Sequence, residues 1–527
     1  MRDAVDGYRL GVGAITAGLG AFLLLRLLAL PPHEDETLVF FVTNTSFGDM
    51  LGTVLGERRG APLHYLLAYL ATLADPGLAS LRLVSVAFAV ASMPLVAALV
   101  SRLSDRRTAL VATLLAAASW ITLYHAIYAR MYSLFLFTAV LSLLLLLRAL
   151  ERGTRGRWAA WAAATLALVA AQPYGVLVLG AEVVYVGLVR LRRPLPLRRP
   201  LVAVAAVLVL AAPLWRTYSL LASRFDVGLG EGGSELGSPL DVLRYLGEAF
   251  GDFTAGRLVA GIPAALLALL GIAVLARRRP ETAILTGVVA GVPVVALLAA
   301  GSGPGVSLES RHLIFLLPFV TMAVAAGILR VGSAAGRAGP GVVAALLGFL
   351  LASQVVWGLD RTRWLYTGEP AARAEGREDA AAWLAARSRA DDVLFGYEPT
   401  YLDAWEEGAP YGAIFIPRAD ARLALDELED AGTPLGHGVW VLDASDYVDQ
   451  EHARLTIDDA SPGPEFETAV FGPFLLVRTV EPVLTPEAYL EATLRVQELS
   501  ARLAVGDAGR NALTAQQALD ELRGGGR

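Results

Sequence analysis

Apolar residues run in long blocks along this chain, and the polar ones collect between them. A membrane-crossing helix needs about 20 apolar residues. Blocks of that order lie at 10–30, 80–101, 108–125, 132–150, 158–172, 174–190, 201–221, 256–276, 282–300, 312–330 and 341–358. The pattern predicts eleven spans. The first is longer than the apolar core of a secretory signal, and no small-residue cleavage pattern precedes the PPHEDE that follows it, so it is expected to be retained.

One further apolar stretch, PLHYLLAYLATL at 62–73, is too short to cross. Leu63, Leu66, Leu67, Leu70 and Leu73 form one helical stripe, with Tyr65, Tyr69 and Thr72 on another, which predicts a helix lying in the interface. The distribution of arginine tests that choice, because basic loops stay on the cytoplasmic side. With this helix left out and the N-terminus inside, SRLSDRRT (101–108), ERGTRGRW (151–158), RLRRPLPLRRP (190–200), RRRP (277–280) and RVGSAAGRAGP (330–340) all fall inside. Counting it as a span places every one of them outside. The outer face then receives 31–79, the turn YHAIYARMY (124–132), QPY (172–174), a loop over 223–257, GSGPGVSLESR (301–311) and everything beyond the last span.

Composition agrees: 55% of the 527 residues are hydrophobic and the mean hydropathy is +0.54, as expected for a polytopic membrane protein. There is no cysteine, which excludes disulfides, thiolate metal sites and cysteine nucleophiles. Charge divides the chain. Residues 1–357 carry 29 Arg against 19 acids, and 358–527 carry 15 against 31. A membrane domain over 1–357 is therefore expected to precede an acidic, soluble domain over 358–527.

In that second part AAAWLAARSRA and ARLALDELEDA read as helices, DDVLFG, AIFI and GVWVLD as strands, and FETAVFG with PFLLVRTV as a hairpin. PEAYLEATLRVQELSARLA and NALTAQQALDELR read as a closing pair of helices. The prediction is a small α/β domain. It has no glycine-rich phosphate loop and no metal-ligand spacing, and His437 and His452 stand alone as structural residues. The glycine-rich 228–239 reads as an outer loop.

Five polar clusters converge on the predicted outer face: HEDE (33–36), GERRGAPLH (56–64), YHAIYARMY, QPY and ESRH (309–312). Charges beside apolar helix ends are costly unless paired, hydrated or used, so the ensemble points to a binding or catalytic site. Asp35 and Glu36 are candidate general bases, since partial burial raises the basicity of a carboxylate. Arg130 and Arg311, with Arg58 and Arg59, are candidates for holding an anion, either a protein carboxylate or a phosphate. His64, Tyr65, Tyr128, Tyr132 and His312 are candidate substrate contacts. Glu182, in the middle of a span, is expected to make an interhelical hydrogen bond.

The acidic pair at 35–36, APLHYLLAYL, LASLRLVSVAFAVASMPLVAALVSRL, ITLYHAIYARMYSLFLFTAVLSLLLLL and RHLIFLLP, in that order, resemble the polytopic GT-C glycosyltransferases of the dolichyl-phosphate-mannose protein mannosyltransferase type, glycosyltransferase family 39 and its prokaryotic relatives. The resemblance implies a GT-C fold in a multi-pass plasma-membrane protein with its active site and C-terminal domain outside the cytoplasm. It implies a polyprenyl-phosphate sugar as donor and an envelope glycan, glycolipid or protein as acceptor. It implies Asp35 as the catalytic base, inversion by single displacement, and no metal, cofactor or nucleic acid partner. The chain departs from the family pattern at Tyr128, where relatives carry an acid, at QPY, where many carry Thr-His-Tyr, and at Ala61, where the lipid A aminoarabinose transferases carry lysine. Two other readings stand beside this one: a catalytically silent scaffold for envelope assembly, and a lipid or sugar transporter, which the crowding of polar residues at one face disfavours.

Overall fold

Long runs of Leu, Ala and Val leave the backbone one way to satisfy its N–H and C=O groups away from water, and all eleven expected spans are helical. The computed structural model describes the chain except residues 1, 59–60, 226–237, 257, 301–308, 412–413, 419, 445–460, 504, 506–507 and 525–527, and except the side chains of 2–5, 57–58, 220–225, 258 and 297–300. Among the described residues six helices are long and apolar enough to cross a membrane, and eight if the two bent pairs Arg106–Ala118 with Trp120–Ala126 and Arg198–Leu210 with Ala212–Ser219 each count as one. The remainder of the expected eleven are shorter or more charged: Arg155–Ala171 has 17 residues, and Gly175–Arg192 holds Glu182 and two arginines.

The chain divides into two compact units, Met1–Ala29 with Thr43–Thr367, and Leu30–Val42 with Gly368–Arg527. This differs from a division at 357/358 by ten residues, and by placing the segment after the first span in the second unit. The first helix also ends early, at Leu25. The single charge of that apolar block, Arg26, donates from Nε to the carbonyl of Leu365 at 2.8 Å.

In the first unit the helices Leu258–Arg278 and Leu317–Ala334 touch backbone to backbone. A Cβ on Gly271 would collide with the Ala323 carbonyl oxygen, and one on Gly327 with that of Leu267. Small residues permit this approach, which is how helices associate where lipid removes the hydrophobic drive. Glu182 bridges neighbouring helices, accepting from Ser142 Oγ at 2.8 Å and Trp161 Nε1 at 3.0 Å. The short apolar stretch at 62–73 forms a helix, Pro62–Thr72. The expected loop over 223–257 is corrected: it contains the helix Pro239–Thr254, started by Ser238 as N-cap with Pro239 in the first turn and Asp241 hydrogen-bonded back to Ser238.

The second unit is built on a five-stranded sheet. Its strands are β1 (Val393–Phe395), β2 (Phe415–Ile416), β3 (Gly438–Asp443), β4 (Phe466–Phe471) and β5 (Phe474–Thr479), in the order β2-β1-β3-β5-β4. β1 pairs in parallel with β2 and β3, while β5 runs antiparallel to β3 and β4. Trp440 of β3 stacks on Tyr489 of the helix Pro486–Leu503, with ring centroids 5.4 Å apart, and its indole N–H donates to Thr493.

The helix Glu34–Thr43 is seated against this unit by two aromatic pairs, Phe40 with Trp405 at 4.8 Å and Phe41 with Phe415 at 4.4 Å. Arg418 ties its first turn down, donating to Glu34 and also to Glu398.

Candidate active site

The block 108–125 reads as one apolar helix, but Ser119 takes an extended conformation (φ −67°, ψ 140°) and the chain bends by 56° into Trp120–Ala126. The Trp120 amide thereby loses its helical acceptor. Gln354, 2% exposed, supplies one through Oε1 at 2.8 Å, and its Nε2 donates to the Gly251 carbonyl at 3.1 Å. The next turn, 127–131, is held by Ser85 Oγ donating to the Arg130 carbonyl at 3.2 Å and Ser133 Oγ donating to that of His125 at 2.9 Å. The sequence IYARM thus has a fixed backbone before the helix Tyr132–Arg152 begins.

Aromatic and basic side chains gather around that turn. Tyr124 stacks on Trp120 at 5.3 Å and on Tyr128 at 5.5 Å, while His125 faces Tyr132 at 4.7 Å. Tyr132 is 6.2 Å from His312, which stacks on Tyr174 at 4.5 Å. The Arg311 guanidinium lies over the Tyr132 ring, 5.2 Å from its centroid, and is ion-paired with Glu309. Glu309 caps the 3-10 turn Ser310–Leu316, and its own N–H donates to His312 Nδ1 at 3.2 Å. With Nδ1 accepting, the proton of the neutral His312 ring sits on Nε2.

His64, on the helix Pro62–Thr72, hydrogen-bonds to the backbone of Ala129. Burial first, and then the charge of Arg130, pull its pKa from 6.5 down to about 3, outweighing that bond. It therefore enters the site as a neutral ring, able to exchange a hydrogen bond but carrying no charge for a phosphate.

Of the expected site residues, Tyr128, Tyr132, His312 and Arg311 are brought together through these ring and cation contacts, and His64 is joined to the turn that carries Arg130. Tyr65 is 2% exposed and packs edge-on against His64. Asp35 and Glu36 belong to the second unit, in the first turn of the helix Glu34–Thr43. Glu36 is buried and its Oε2 accepts from the His33 N–H at 3.1 Å, a capping bond, whereas Asp35 is half-buried. Arg58 closes the π-helical turn Val54–Arg58; its side chain and the whole of Arg59 lie outside the described residues.

The sequence reading missed a polar node in the first unit. Asp252, 1% exposed, accepts from Trp357 Nε1 at 2.8 Å, from Ser310 Oγ and from Arg361 at 3.5 Å. Burial raises its pKa, against the pull of Arg361 and of these hydrogen bonds. The node fixes Ser310, the neighbour of Arg311. Tyr245 adds a bond from its hydroxyl to the Glu309 carbonyl at 2.9 Å. The signal was in the sequence: SPLD at 238–241 is a helix start, which makes the acid at 252 part of an amphipathic helix.

Residues 61–216 match the family dolichyl-phosphate-mannose-protein mannosyltransferase. Among solved structures, the chain is similar to ArnT from Cupriavidus metallidurans bound to undecaprenyl phosphate, with 15% identity and a TM-score of 0.57 over 90% of this chain and 98% of that one. The apo state of the same protein gives 16% and 0.55 over the same shares. The archaeal oligosaccharyltransferase AglB from Archaeoglobus fulgidus, in complex with an inhibitory peptide and a dolichol-phosphate, matches at 11% and 0.50 over 82% of this chain and 69% of that one. Among curated proteins, none matches by sequence. The resemblance to GT-C glycosyltransferases holds, and the fold is theirs.

Proposed function

We propose, from this GT-C fold, that the chain is a membrane glycosyltransferase moving a sugar from a polyprenyl-phosphate donor to an acceptor hydroxyl on the outer face of the plasma membrane. The N-terminus lies in the cytoplasm and the C-terminal unit outside. The observation that carries the reading is the packed cluster of Arg311, Tyr132, His125, His312 and Tyr174, held at one end of the spans by capping bonds and the Asp252 node. The aromatic faces suit a sugar ring, and Arg311 and Arg130 suit the phosphate.

In the reaction the acceptor oxygen attacks the anomeric carbon as the bond from that carbon to the phosphate oxygen breaks. The electron pair leaves with the polyprenyl phosphate, whose growing charge Arg130 and Arg311 stabilise. The acceptor's proton passes to Asp35, and a single displacement inverts the anomeric centre. Asp35 is favoured over Glu36 because Glu36 is buried and engaged in capping its own helix. A phosphate is a good leaving group, so no general acid is invoked.

The test is transfer from radiolabelled polyprenyl-phosphate mannose, glucose or arabinose to envelope-derived acceptors, using purified protein in detergent. Wild type should give an inverted product, and Asp35→Asn should reduce kcat by about 10²-fold or more, the scale of general-base catalysis. Full transfer by Asp35→Asn removes the base assignment. No transfer with any donor makes the silent scaffold the better reading.

A further inference from the structure

Four arginines stand around one cavity in the first unit, among residues of the basic loops. The cavity has a volume of about 760 Å³ and lies between the start of the helix Arg106–Ala118, the ends of Leu258–Arg278 and Leu317–Ala334, and the start of Gly339–Arg361. Arg107, Arg278, Arg279 and Arg330 contribute guanidinium groups, and Leu275 and Leu329 belong to an apolar wall. All four arginines are exposed, and among the described residues none of them makes an ion pair.

The one carboxylate in the lining is already committed. Asp105 accepts from the N–H groups of Arg107 at 2.9 Å and Thr108 at 3.0 Å and from the Thr108 hydroxyl at 2.9 Å, as the N-cap of its helix. Partial burial pushes its pKa up, and these hydrogen bonds more than reverse that, so it stays ionised. Four positive groups and one negative leave the cavity with a net charge of about +3. Charge bias in loops alone gives a diffuse attraction to a membrane. A cavity with guanidinium groups beside an apolar wall formed by span helices gives a place of defined size for a molecule that is anionic at one end and hydrocarbon at the other.

We propose that this cavity binds an anionic phospholipid, its phosphate among Arg107, Arg278, Arg279 and Arg330 and the first part of an acyl chain against Leu275 and Leu329. It shares no residue with the proposed transfer site, and it stands whether or not that reaction is the right one.

The experiment is native mass spectrometry of the full chain released from nanodiscs of phosphatidylglycerol mixed with phosphatidylcholine. One phosphatidylglycerol should be retained in preference to phosphatidylcholine. Arg278→Gln and Arg279→Gln should each weaken retention about fivefold, the equivalent of about 1 kcal/mol per basic residue. Arg190→Gln, in another basic loop and outside the cavity, should leave retention unchanged. Leu329→Trp fills the space at constant charge and should also release the lipid. Equal retention of both lipids overturns the proposal, as does retention unaffected by Leu329→Trp or weakened as much by Arg190→Gln. Displacement of the lipid by millimolar inorganic phosphate overturns the assignment to a lipid in favour of a free anion.

Discussion

Arg418 holds Glu34 through two nitrogens, Nε to Oε1 at 3.3 Å and Nη2 to Oε2, across 384 positions of sequence. The next residue after Glu34 is the proposed base. The acidic C-terminal unit therefore fixes the backbone from which Asp35 projects. A half-buried guanidinium paired with two carboxylates also gains from them: burial lowers the pKa of Arg418, and the charges of Glu34 and Glu398 more than restore it, so it stays protonated.

Arg418→Ala is expected to lower kcat by about tenfold, equivalent to about 1.4 kcal/mol at the barrier, while donor KM stays near the wild-type value. It should cost about 2 kcal/mol of stability, between the worth of exposed and buried pairs. Steady-state kinetics with thermal unfolding in detergent measures both. An unchanged kcat in a folded Arg418→Ala protein would separate the C-terminal unit from catalysis.

His64 makes stability depend on pH. Its folded pKa of about 3 lies below its ordinary 6.5, so the folded state binds fewer protons than the unfolded state between those values. Stability then falls as pH drops through that window, by up to about 1.4 kcal/mol per unit, and is flat in this respect above it. Unfolding midpoints measured from pH 8 to pH 4 should fall less steeply in His64→Phe than in wild type. Parallel curves would remove His64 as the cause.

Glu182 is expected to matter for the fold and not for the reaction. Glu182→Ala leaves the Trp161 N–H without an acceptor inside a span, while the Ser142 hydroxyl keeps Thr165 Oγ1 at 2.9 Å as an alternative, and should cost about 2 kcal/mol. Glu182→Gln keeps one acceptor and should cost less. Both should retain transfer activity per folded molecule; a loss of activity in Glu182→Gln at normal stability would point to a proton-handling role.

How far the sequence reached is clearest residue by residue. ARLALDELEDA and GVWVLD form the helix Ala421–Ala431 and β3 with those same ends, because periodicity and flanking breakers are local signals. Helicity of the spans and of Pro62–Thr72 was legible for the same reason. The attachment of 30–42 to the second unit was not: Phe40 and Phe41 find Trp405 and Phe415, and nothing local marks such partners. Within the site, the sequence leaves open whether Arg311 of ESRH meets a protein carboxylate or a phosphate, and Glu309, two residues away, pairs with it. The stack of Tyr174 on His312 joins two spans and has no local signal at all. The bend at Ser119 was hidden because the apolar block continues through it; only the distant Gln354 shows that an amide there needed an acceptor.

The crossing at Gly271 and Gly327 supplies a sharp structural test. Gly271→Leu cannot be accommodated by side-chain movement, since the obstacle is the carbonyl of Ala323. The two helices must separate, and a loss above about 3 kcal/mol is expected, the scale of severe overpacking. Protein yield and monodispersity after extraction should collapse for Gly271→Leu and much less for Leu266→Ala on the exposed face of the same helix.

The Trp120 amide and the Gln354 side chain are 234 positions apart. A ribosome adding about 5–20 residues per second needs on the order of tens of seconds to span that distance. During that interval the bent segment is already made while its acceptor has yet to be synthesised. The break at Ser119 must therefore be carried by water, lipid headgroups or the insertion machinery until the last span arrives. Assembly of the membrane unit is finished from its C-terminal end, and a chain truncated before Gln354 is predicted to remain a substrate for membrane quality control however well its earlier helices insert.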